Sequence, residues 1–233
     1  MSTNMIIFIA GILPSILLGL YIWWKDPQKE PVSLLMRGFL YGCFICAPVI
    51  LVENEITLFF NKWFVLPSYA RVFTDAFVMA AMTEEGFKLL ALWFLVKNNP
   101  YFDEHFDGIV YAVFVSLGFA AVENVLYLFG NGDWITTALL RSFLAVPGHY
   151  MDAVFMGYFF SMFYFVERSL KNAIFVILVP VLVHGLYDTI ALGDYYYPYL
   201  DGILFPLLVV FCVYMHGKAN DRLNVLIDRD RIE

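Results

Sequence analysis

The chain alternates long apolar runs with short polar breaks. Seven runs are long enough, or nearly so, to cross a bilayer as helices: about 5–24, 32–52, 74–96, 106–129, 147–166, 172–192 and 202–216. The breaks are rich in turn formers. Asp26-Pro27-Gln28-Lys29-Glu30-Pro31 separates the first two runs, and Lys97-Asn98-Asn99-Pro100 closes the third. Tyr21, Trp23 and Trp24 end the first run as interfacial aromatics. Pro14 is expected to kink that span, Gly38 and Gly42 form a GxxxG suited to close helix contact, and Asp107 is placed to cap span four. Residues 134–146 read as a surface or re-entrant helix, or as the upper part of span five. The pattern predicts an all-α polytopic membrane protein of about seven spans, eight if 134–146 crosses alone. It leaves room for one membrane domain, 1–233, and for no separate soluble one.

Composition agrees. Hydrophobic residues are 61% of the 233, charged residues 15%, and mean hydropathy is +0.73. A formal net charge of −7 gives no basic face for nucleic acid. Cys43, Cys46 and Cys212 fall inside apolar runs and read as packing residues, with no second half-site to complete a zinc motif from the CxxC. The start lacks a basic n-region and its apolar run exceeds a signal-peptide core, so it is read as a retained span.

The positive-inside rule fixes an expected orientation. With the N-terminus outside, Lys25, Lys29, Arg37, Lys97, Arg168, Lys171, Lys218, Arg222, Arg229 and Arg231 are cytoplasmic, and only Lys62, Arg71 and Arg141 are outside. The C-terminus is then cytoplasmic. The expected location is the plasma membrane, with lipids as obligate partners.

Against this background, Met82-Thr83-Glu84-Glu85-Gly86-Phe87-Lys88 is anomalous, since it sets three ionisable groups in the middle of a span, each costing at least ~2.5 kcal/mol to bury. Other strongly polar groups inside spans are Glu123, Asn124, His149, Asp152, His184 and Asp188. At 1.5 Å per residue, Glu123 is ~9 Å, His184 ~12 Å and Glu84 ~15 Å below the outer end of their spans, with His149 within ~10 Å of the surface. Four helices thus direct acids, a base and imidazoles to one level, predicting a polar chamber in the outer half of the bilayer. Lys88 is i+4 from Glu84 and i+3 from Glu85, so it can neutralise one carboxylate and leave the other as a base. His184 and Asp188 share a face, which suits a carboxylate that orients an imidazole.

At these residues the sequence resembles the PrsW family of bacterial intramembrane proteases, related to the CAAX-prenyl-endopeptidase-like membrane proteins. The resemblance lies in Glu84-Glu85-Gly86-Phe87-Lys88 as EExxK, Phe119 to Asn124 as FxxxEN, His149 after Pro147-Gly148, and His184 to Asp188 as HxxxD, over about residues 75–191. The wider group has an arginine one place after Lys88 and a histidine where Glu123 stands. The resemblance implies a peptidase that makes the first, extracytoplasmic cut in a membrane-anchored anti-sigma factor. It also implies Glu84 and Glu85 as catalytic acids and His184 as essential.

The residues themselves suggest that Glu84 or Glu85 activates a water, that His184, with Asp188 and His149, binds it or stabilises the oxyanion, that Asn124 donates a hydrogen bond, and that Lys88 tunes the glutamates. No cofactor is required for this chemistry. Zinc held by Glu123, His149 and His184 is the alternative. Two readings from other classes are a proton-coupled transporter and a non-catalytic scaffold that recruits a partner helix through Gly38 and Gly42.

Overall fold

The computed structural model describes residues 2–232, the side chains of Asp194 and Asp201 excepted. Among these residues there is no strand, and seven helical rods make up the chain. They are α1 (Thr3–Lys25), α2 (Val32–Trp63), α3 (68–96), α4 (Asp107–Gly130), α5 (134–166), α6 (Leu170–Tyr196) and α7 (Asp201–Asp230). Five of them, α1, α2, α4, α6 and α7, contain stretches long and apolar enough to cross a membrane. The other two, α3 and α5, are interrupted by wide turns, so neither has an uninterrupted regular stretch of that length.

Helix α4 is the centre of the bundle, packed by α1, α2 and α5. Its residues from Asp107 to Ala121 are buried almost without exception, as expected of a helix that is apolar all round. Small residues allow neighbours to approach it. Helix α1 meets it with a stripe of Ile7, Gly11, Ser15, Gly19 and Ile22, spaced three or four residues apart. Gly38 and Gly42 of α2 are buried against the same helix. A Cβ at Gly42 would overlap the carbonyl of Val115, and one at Gly118 the carbonyl of Phe39. The GxxxG therefore serves an internal contact, which removes the basis for the scaffold reading through Gly38 and Gly42.

One boundary and one cap differ from expectation, and among the alternatives for 134–146 one is selected. Helix α2 does not stop at Val52 but continues to Trp63, because Ile56, Leu58, Phe59 and Phe60 sustain it past Glu53 and Glu55. Residues 134–146 are the upper part of α5, neither a separate span nor a surface helix. Asp107 is not a cap: Phe106 holds that position, and Asp107 Oδ2 instead accepts the amides of Asp103 (3.0 Å) and Glu104 (2.8 Å) in the preceding loop.

Short connections order the two ends. At one end, Gln28 reaches Glu104, the Tyr111 hydroxyl donates to Glu30, and Asp230 of α7 accepts the amides of His105 and Phe106 at 2.9 and 2.8 Å. Burial there raises the Asp26 and Glu30 carboxyls above their ordinary range and pushes Glu104 up to about 7. At the other end, the Tyr196 hydroxyl donates to Asp75 Oδ2 (2.6 Å), which also accepts from Arg71 Nε (3.1 Å). Tyr196 is thus tied to α3, while neighbouring Tyr195 is exposed as an interfacial aromatic would be.

Replacing Gly118 by alanine should lower the thermal unfolding midpoint in detergent, with a loss of about 1–3 kcal/mol from overpacking at the α2–α4 contact. Gly132→Ala, where a Cβ meets nothing within 4 Å, should leave it unchanged.

Candidate active site

Two wide helical turns aim the polar residues. In Thr74–Ala81 the hydrogen bonds run i→i+5, ending with the Met82 amide on the Phe77 carbonyl, and Glu84 and Glu85 follow within three residues. In Arg141–Ala145 the Val146 amide reaches the Arg141 carbonyl, and Pro147 and His149 follow. A proline clashes with the carbonyl four residues back, and a wide turn relieves that clash. Such turns inside longer helices occur frequently at functional sites.

Lys88 lies at the centre. Its Nζ donates to Glu84 Oε2 at 3.0 Å and to Glu85 Oε1 at 2.7 Å, and lies 3.1 Å from His149 Nδ1 and 4.5 Å from the Phe119 ring centre. The lysine is 1% exposed and the glutamates 5% and 0%. The expectation that Lys88 takes one carboxylate and leaves the other free is therefore corrected: it holds both. What distinguishes the glutamates is access, since Glu84 lines a cavity of about 550 Å³ and Glu85 does not.

Both histidines are fixed by partners on other helices. His184 on α6 places Nδ1 2.9 Å from Glu85 Oε1, and its Nε2 faces Asp188 Oδ2 at 3.3 Å and Glu84 Oε2 at 4.0 Å. Glu85 thus shares with Asp188 the orienting of the ring. His149 accepts from Lys88 at Nδ1, so its Nε2–H donates to Glu123 Oε2 at 2.9 Å. With both nitrogens engaged, His149 is not free to bind water or an oxyanion as expected. The two rings meet edge to face at 5.5 Å.

Glu123 Oε2 accepts from both His149 Nε2 and Arg141 Nη2, the latter at 2.5 Å. The donor role expected of Asn124 is not available to it: Nδ2 donates to the Gly11 carbonyl at 3.1 Å, Oδ1 accepts from Arg141, and the residue is fully buried between α1 and α4. Asp152, also buried, has Oδ2 3.9 Å from His184 Nδ1. The cavity brings in three residues that the sequence reading left elsewhere, Glu53, Asp75 and Arg141. Glu53 lies just past the apolar run 32–52 and so reads from sequence as outside the span, whereas it is within α2. The signal available was its i,i+4 spacing to Thr57, which also lines the cavity.

A bundle of membrane-length helices closed around carboxylates, imidazoles and an ammonium, with one of the two lysine-bound glutamates open to a cavity, is the build of an intramembrane enzyme. A model of the family described as PrsW family intramembrane metalloprotease matches residues 30–215, and the chain belongs to the PrsW family of intramembrane proteases. Among its relatives is Protease PrsW of Oceanobacillus iheyensis, 35% identical over 213 residues, which are 91% of this chain and 95% of that one. Protease PrsW of Bacillus subtilis is 34% identical over 204 residues, covering 84% and 88%. That of Clostridioides difficile is 30% identical over 233 residues, covering 97% and 93%. No solved structure matches.

The family description raises the question of a metal. Glu84, Glu85, His149 and His184 each present a ligand atom within 4.8 Å of the others, and Glu85 Oε2 is buried without a hydrogen-bond partner. Imidazole and carboxylate donors of this kind suit zinc. The set is not Glu123, His149 and His184 as expected, because Glu123 turns to Arg141. The donors fit a divalent ion in kind and closeness, but the Lys88 ammonium contacts three of the four groups and already balances the carboxylates.

Removing that ammonium leaves two buried carboxylates unpaired. Lys88→Met should destabilise the protein by about 3–5 kcal/mol, read as a lower unfolding midpoint. Combining it with Glu85→Gln should cost less than the sum of the two single changes.

Proposed function

We propose that this protein is an intramembrane endopeptidase in which Glu84 activates a water for attack on a peptide bond of a membrane-anchored regulatory protein. The observation that carries this reading is the difference between the paired glutamates. Glu84 opens to the cavity with His184 Nε2 4.0 Å away, a span that one water can bridge, while Glu85 is sealed behind it. Glu84 takes the proton as the water oxygen bonds to the scissile carbonyl carbon, and the carbonyl electrons move onto oxygen. His184 Nε2, protonated, donates to that oxyanion with Asp188 balancing its charge. Collapse breaks the C–N bond, and the proton passes from Glu84 to the leaving amine. Glu85 and Lys88 are positioning residues: they hold His184 and Glu84 in place. Glu123 and Arg141 do the same for His149.

On this reading the substrate is an anti-sigma factor cut on its extracytoplasmic side, which the family resemblance supports. The excess of Lys and Arg at the ends that include Lys25, Lys97 and Arg168 supports an outside N-terminus, a cytoplasmic C-terminus and a site in the outer half of the plasma membrane.

A zinc-dependent reaction is the second reading, favoured by the four converging donors and by the family description. Glu84, Glu85, His149 and His184 would hold the ion, which would polarise the carbonyl and acidify the water.

Cleavage of a tagged single-pass anti-sigma substrate by purified protein tests both. Glu84→Gln should lower the rate at least ~100-fold with the unfolding midpoint retained, and His184→Ala should lower it similarly. Glu85→Gln should lower both rate and midpoint. Wild-type rates in all three would end the proposal. Stoichiometric zinc in the active preparation, with activity lost on chelation and regained on zinc addition, would select the second reading.

A further inference from the structure

At the end of the bundle away from Glu84 lies a second group of carboxylates that the catalytic reading does not use. Glu30 from the α1–α2 loop, Asp103 from the α3–α4 loop and Asp107 from the first turn of α4 each bring an oxygen within 4.8 Å of the others. Glu30 and Asp107 are buried, at 6% and 0% exposure, and Asp103 opens to solvent. Asp107 Oδ2 is occupied by the amides of Asp103 and Glu104, but Oδ1 is buried with no hydrogen-bond donor. The Glu30 carboxyl, which accepts from the Tyr111 hydroxyl, abuts that of Asp107. Among the described residues no lysine or arginine forms an ion pair with these three. Lys29, in the same loop, is turned instead to the carbonyls of Trp24 and Asp26 and lies over the Trp23 ring.

Two carboxyl groups in contact in a desolvated place need positive charge between them, either a proton or a cation. The donors here are all hard oxygens, drawn from two loops and a helix start, and one of the three is open to solvent and leaves room for water. That combination matches Mg²⁺ or Ca²⁺ rather than zinc. We propose that Glu30, Asp103 and Asp107 form a structural site for a hard divalent cation that ties the α1–α2 and α3–α4 loops to the start of α4. Its influence extends to α7, because Asp230 caps the loop residues His105 and Phe106 immediately before Asp107.

The full-length protein in detergent can be titrated with Tb³⁺, whose luminescence Tyr111 sensitises from its contact with Glu30. The expected result is a saturable signal displaced by Mg²⁺ or Ca²⁺. Affinity should fall at least about tenfold in Asp103→Asn, an exposed change that leaves folding intact, and in Glu30→Gln. Mg²⁺ or Ca²⁺ should also raise the unfolding midpoint of the wild type and not of Asp103→Asn. Both effects should persist in Glu84→Gln, which separates this site from any ion at the catalytic cluster. No saturable signal, an affinity unchanged in both variants, or a midpoint insensitive to cations would overturn the proposal and leave a shared proton as the bridge between Glu30 and Asp107.

Discussion

The structure depends on one ammonium group. Two adjacent glutamates in the interior of a helical bundle repel each other and have lost their hydration, and Lys88 compensates both at once from one turn further along the same helix. The surrounding polar residues follow from that arrangement. His149 accepts from the lysine, Glu123 accepts from His149, and Arg141 balances Glu123, so the charges alternate along a chain that crosses from α3 through α5 to α4. His184 extends a second branch from Glu85 to Asp188. Of the two glutamates that Lys88 holds, Glu84 alone faces the cavity, with the Nε2 edge of His184 beside it, and a group that faces open space is one that a substrate can reach.

Such a network needs a rigid frame, because a displacement of 1 Å would break several of these contacts together. Helix α4 supplies it. Its close contact with α2 at Gly42 and Gly118, and the α1 stripe that receives Asn124, fix the level of Glu123 from two sides. The far end of the same helix is where Glu30 and Asp107 meet, so the central element is anchored at both ends, by a charge chain above and by an acidic junction below.

Much of this was legible in the sequence. Each of the seven helices could be placed from apolar run length and the polar breaks, though not the far end of α2, and the shared level of Glu84, Glu123, His149 and His184 followed from counting residues. What could not be read depended on partners distant in sequence. Asn124 looks like a free donor beside Glu123 until α1 lays the Gly11 carbonyl against it. Arg141 counts along the chain as a charge at the outer surface, whichever helix 134–146 forms, and only the fold turns it inward onto Glu123 and Asn124. Glu53 was misplaced because a first charge after an apolar run resembles a span end, whereas in α2 it marks the wall of the cavity. The division of labour between Glu84 and Glu85 is likewise invisible along the chain, since the two differ only in which side of α3 a neighbour covers.

The wide turn over Thr74–Ala81 separates two properties of α3 that are easily taken as one. Insertion into lipid depends on how many apolar residues the segment contains, and a residue more or less there changes it little. Which way the segment faces depends on register, and each residue of a regular helix turns it by about 100°. A one-residue deletion within 74–81 would therefore leave a segment that still spans the bilayer but presents Glu84 and Lys88 to the lipid or to a neighbouring helix. For this helix, the length of that turn is as much a part of the chemistry as the glutamates, and chains that differ by an insertion there have a differently aimed site even where every polar residue is retained.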